Sequence, residues 1–107
     1  LIQRIGKLKW PRSEVSGKPT EVIHHFFTKQ SSNALRYDWD NLVPLTNSEH
    51  FAHHIKSDPI IALSIVKKRG QKWFDTLLKR KYQEFVKTDR IYYESVRVRL
   101  EKELSMI

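Results

Sequence analysis

The hydrophobic pattern changes period along the chain, and the changes divide it. Residues 20–27, TEVIHHFF, are rich in β-branched and aromatic side chains and predict a short strand. NLVPL at 41–45 predicts a second, with Pro44 marking an edge or a strand end. Between them TKQSSNALRYDWD (28–40) is polar and turn-rich, which predicts a long loop. TNSEH then opens a helix: Thr46, Asn47 or Ser48 can cap it, and Thr46 with Glu49 has the capping-box spacing. This helix is expected to carry EHFAHHIK and to stop near Ser57.

Asp58-Pro59 starts another helix, with Asp as N-cap and Pro at the first helical position. Its PIIALSIVKKR is apolar over most of its circumference, which predicts a buried element ended by Gly70. In QKWFDTLLKRKYQEFV, Trp73, Phe74, Leu77, Leu78, Tyr82, Phe85 and Val86 recur in steps that define an amphipathic helix. Thr88-Asp89 caps a last helix on which Tyr92, Val96, Leu100 and Leu104 recur every four residues. Pro11, Gly17 and Pro19 interrupt residues 1–20, so that stretch reads as an irregular basic arm, anchored by Leu1, Ile2, Ile5 and Trp10. The expected fold class is α+β in a single domain over 1–107. Its parts are the arm (1–19), a strand–loop–strand–helix unit (20–57) and a helical extension (58–107).

A chain of 107 residues with 39% apolar residues, including three Trp, four Tyr and five Phe, suits one domain with a modest core. Its longest apolar-rich stretch, PIIALSIV, is far short of the roughly 18 residues of a membrane helix. No membrane partner is expected, and no signal peptide is visible. The absence of cysteine excludes disulfides and thiolate zinc sites, so any metal must be held by His, Asp, Glu or amide oxygens. Twenty Lys and Arg against twelve acids give a formal charge of +8, which favours a polyanionic partner.

All five histidines fall in two clusters, His24-His25 and EHFAHH with His50, His53 and His54. On a helix His50 and His54 lie one turn apart on one face and can share a divalent cation; His53, three from His50, competes on geometry alone. If the two strands form a hairpin on which the helix packs back, His24 or His25 can supply a third ligand. Three imidazoles leave open positions for water and substrate, as a catalytic metal needs. The neighbouring imidazole, with an ordinary pKa of about 6.5, could take a proton from water. Adjacent strand residues face opposite ways, so both can serve one site only if the strand twists or ends there.

The stretch IHHFFTKQSSNALRYDWDNLVPLTNSEHFAHH resembles the HNH, or ββα-metal, nuclease motif, a His-His pair followed by an Asn and then His-x3-His on a helix. Its cysteine-free three-His set is similar to colicin-type centres. More loosely, residues 24–104 resemble NinG/Rap-type phage recombination nucleases and their small relatives. The resemblance implies His24, His50 and His54 as metal ligands, which settles the tie against His53, and His25 as general base. Asn41 would hold the ligand loop and orient His25 through a hydrogen bond. Arg36 falls in the loop where a phosphate contact would be useful. The implied cofactor is one divalent ion, Mg²⁺, Mn²⁺, Ni²⁺ or Zn²⁺. Hydrolysis of DNA in the cytoplasm of a phage-infected or bacterial cell would leave 5′-phosphate and 3′-hydroxyl ends. The family's structural-zinc cysteines are missing, so the frame must rest on packing.

The grip on DNA is expected from Lys67, Lys68, Arg69, Lys72, Lys79, Arg80 and Lys81, opposed in that span only by Asp75. Such contacts position the phosphate backbone without reading bases. Lys7, Lys9 and Arg12 near Trp10 could add a second grip. The paired helices after residue 58 can form a homodimer face or close the core. Two other functions fit the same residues: a DNA-binding module whose metal only ties the hairpin to the helix, and a nuclease toxin domain.

Overall fold

The computed structural model describes residues 1–28, 34–54, 59–84 and 89–106, with the side chains of His53 and His54 outside that description. Among these residues the order is α1 (Ile2–Lys9), β1 (Val22–His25), β2 (Leu42–Leu45), α2 (Asn47–His54), α3 (Pro59–Arg69), α4 (Gln71–Gln83) and α5 (Arg90–Ser105). The fold is α+β, five helices around a two-stranded antiparallel sheet. No helix among the described residues is long and apolar enough to cross a membrane.

The sheet is the middle layer. Val22 pairs with Leu45, Ile23 with Pro44, His24 with Val43 and His25 with Leu42. One face packs Val22, Phe26, Val43 and Leu45 against Ile61 and Ile65 of α3. The other meets α1, whose Gly6 lies directly against Ile23, and α1 in turn packs through Ile5 on Val96 and Leu100 of α5. Covered on both sides, all four residues of β2 are buried, which is why NLVPL reads as a continuous apolar run.

Four sequence expectations change. The stretch 1–19 is not an irregular arm: Ile2 and Ile5 lie on one face of α1, and the Trp10 N–H bonds the Gly6 carbonyl as the helix ends before Pro11. Residues 12–19 then form a small hairpin, with Arg12 bridged to Pro19 and Gly17 at φ 75°. Helix α3 is buried on one side only, since Ile61 and Ile65 are enclosed while Ile60 and Leu63 are 64% and 66% exposed. Tyr82 also stays at the surface. Helix α4 stops at Gln83, short of the expected Val86, because Glu84 is already extended; the other helix signals hold where they are described. Gly70 closes α3 at φ 99° with its N–H on the Val66 carbonyl, and the Asp89 carboxylate accepts from the Tyr92 N–H at 2.9 Å. The expected stop near Ser57, the Asp58 cap, Phe85, Val86 and Thr88 lie outside the described residues.

Candidate functional site

The start of α2 is fixed by the capping box. Thr46 N–H donates to Glu49 Oε1 at 2.8 Å, and Glu49 N–H donates to Thr46 Oγ1 at 3.2 Å. Ser13 from the 12–19 hairpin donates to the same Glu49 oxygen at 2.6 Å. Burial raises the Glu49 carboxyl, but the hydrogen bonds from Ser13 and Thr46 outweigh it and hold the group below its ordinary range. Glu21 accepts from the Asn47 N–H at 3.2 Å, so this acid serves the helix end too. These contacts set the first turn of α2, and His50 follows in it with its N–H on the Thr46 carbonyl.

His24, fully enclosed, is turned from β1 towards that turn. Its ring centre lies 5.2 Å from that of His50, with the planes at 63°. Metal–nitrogen bonds of about 2.0–2.1 Å, extended to the ring centres and opened to a tetrahedral angle, separate two imidazole centres by roughly 5 Å. The pair therefore fits two ligands of one cation. Among the described residues no group of three or more His, Asp or Glu gathers around one point, and the side chain of the third expected ligand, His54, lies outside them.

His25 ends β1 and lies on the other side of the strand. Its Nε2 is 2.9 Å from the Arg36 carbonyl. A carbonyl only accepts, so Nε2 carries the proton and the lone pair of the neutral ring falls on Nδ1. Asn41 is buried and bonds backbone: Oδ1 accepts from Phe27 N–H at 2.8 Å, and Nδ2 donates to the Phe27 and Leu35 carbonyls at 3.0 and 3.1 Å. The expected hydrogen bond from Asn41 to His25 is thus replaced by an indirect one. Asn41 pins the 34–37 turn at Leu35, and the next carbonyl in that turn holds the imidazole.

Arg36 shares with His25 a cleft of about 350 Å³ that also includes Gln3, Tyr37, Tyr93 and Arg97. Tyr93 and Arg97 have no counterpart in the sequence reading. The sequence signal for them is their four-residue spacing, which sets them on one face of α5 beside the apolar stripe of Tyr92, Val96 and Leu100.

The seven basic residues from 67 to 81 separate into two kinds. Arg69 is bound to Glu14 at 2.8 Å and to the Asp40 and Leu42 carbonyls, and it sits over the Trp73 ring. Arg80 joins Asp38, Asp40 and Glu84. These two arginines tie α3 and α4 to the loop and β2. Lys68 reaches the Val15 carbonyl at 3.3 Å, and Lys81 sits over the Phe27 and Tyr82 rings. Lys67, Lys72 and Lys79 are exposed and make no ion pair among the described residues. Lys9 rests over the Trp39 ring, and Trp10 packs edge-on to Trp39.

Comparison with protein-family models, curated proteins and solved structures gives no match.

Proposed function

We propose that this chain is a metal-dependent HNH-type DNA endonuclease. The observation that carries the reading is the His24–His50 ring pair, two imidazoles from distant segments at the separation one shared cation requires. Helical spacing and the resemblance add His54 as third ligand. His24, His50 and His54 would hold one divalent ion, which would supply Lewis-acid polarisation of a non-bridging phosphate oxygen and charge stabilisation of the leaving 3′-oxygen.

His25 acts as general base. Its Nδ1 lone pair takes a proton from water as the water oxygen bonds to phosphorus and the bond to the 3′-oxygen breaks. The leaving oxygen takes its proton from solvent, which gives 5′-phosphate and 3′-hydroxyl ends. The Arg36 carbonyl, held through Asn41 and Leu35, fixes the ring and stabilises the imidazolium that forms. His25 is the last residue of β1 and lies on the face opposite His24, so this role requires the phosphate to reach round the end of the strand. Lys67, Lys68, Lys72, Lys79 and Lys81 supply the backbone grip, while Arg69 and Arg80 serve the fold.

Nicking of supercoiled plasmid tests this. The wild type is expected to nick with added divalent ion and to stop with chelator. His25→Ala should lose about 10²–10⁴-fold in rate with its fold intact. Undiminished cleavage by His25→Ala would remove the role assigned to that ring. A wild type that binds plasmid without nicking it would favour the DNA-binding module instead.

A further inference from the structure

The cleft beside His25 is walled by an element outside the nuclease motif, the C-terminal helix. Arg36 enters it beside two tyrosines, with its guanidinium carbon 5.2 Å from the Tyr37 ring centre and 5.9 Å from that of Tyr93. Its Nη1 donates to the Tyr93 hydroxyl at a long 3.4 Å, and its Nε is buried without a hydrogen bond. Among the described residues no carboxylate pairs with it, in contrast to Arg69 and Arg80. A guanidinium held by rings rather than acids keeps its charge for an incoming anion. One helical turn beyond Tyr93, Arg97 adds a second cation, 65% exposed and only loosely paired with Glu101 at 4.0 Å. Tyr93 itself leaves 40% of its surface to solvent.

We infer that this cleft is a subsite for one unpaired nucleotide of the substrate strand, next to the scissile phosphate, with Arg36 and Arg97 on its phosphate and Tyr93 stacked on its base. The assignment rests on the nuclease reading for the role of His25. About 350 Å³ suits one nucleotide, whereas a duplex is too wide to enter and keeps its base faces stacked on one another. Arginines able to meet phosphate beside a partly exposed aromatic ring are what a single-strand site requires. The enzyme would therefore prefer DNA with unpaired bases at the cut.

Anisotropy with a labelled, unstructured single strand and with the matching duplex, both in chelator, tests the cleft without cleavage. Tyr93→Leu should weaken single-strand binding by roughly five- to a hundredfold and leave duplex binding within about twofold. Arg97→Gln, at an exposed position that cannot threaten the fold, should lower the slope of log affinity against log salt by about 0.7 for the single strand. Three results would overturn the inference: no single-strand binding by the wild type, a Tyr93→Leu affinity equal to wild type, or an equal loss on both DNAs. A protein that binds through Tyr93 but never nicks plasmid would sink the nuclease reading and spare the subsite. One that nicks while indifferent to Tyr93 would do the reverse.

Discussion

Two polar side chains hold the site together from beneath. Asn41 fixes the turn that aims His25, and Glu49 fixes the helix start that carries His50. The capping role of Glu49 was legible in the spacing Thr46-x-x-Glu49, but its link to Ser13 was not, because that partner comes from a distant hairpin. The role of Asn41 was legible only in outline. Its spacing from the histidines suggested a hydrogen bond to His25, yet nothing in a spacing distinguishes a ring from the backbone beside it. Glu49 also makes a pH prediction. Its folded carboxyl lies below the ordinary value of 4.5, so its contribution is fully present above that pH and is lost as pH falls through the folded value. Glu49→Gln keeps an accepting oxygen but does not titrate. Urea midpoints should therefore show the wild type's advantage over Glu49→Gln shrinking below about pH 4.5; an advantage constant across pH would contradict the assignment.

At the level of elements, the central hairpin and the four later helices follow from local signals: β-branched runs, a capping box, Pro59 and Gly70. Helix α1 was hidden because Pro11, Gly17 and Pro19 made residues 1–20 read as one irregular stretch, whereas Pro11 in fact lies just past the helix end. Gly6 has a packing reason, since a Cβ there would run into the Ile23 side chain, with Cδ1 at 2.7 Å. Gly6→Ala should thus destabilise by about 1–3 kcal/mol, although alanine is the better helix former by nearly 1 kcal/mol. Urea denaturation measures it; a stabilised Gly6→Ala protein would mean that α1 does not press on β1. The exposed side of α3 was equally hidden, because hydrophobic content along a helix does not say how many neighbours will cover it.

Across the whole molecule, net charge indicated a polyanion but could not say which cations are free to meet it. That depends on acids brought close only by folding, Glu14 to Arg69 and Asp38 to Arg80. Replacing Lys67, Lys72 and Lys79 together by Gln should reduce the salt slope of duplex binding by about 2–3 and leave thermal stability unchanged. An unaltered slope would move the duplex grip elsewhere. The two histidine clusters were legible as partners because a strand and a helix could join them, whereas the α5 wall of the cleft required tertiary structure to be seen. The most direct test of the account is calorimetric titration with Zn²⁺ of the wild type and its single His→Ala variants. One bound ion should be lost in His24→Ala and in His50→Ala and kept in His25→Ala. Unchanged affinity in His50→Ala, or its loss in His25→Ala, would contradict the shared site on which the proposed chemistry depends.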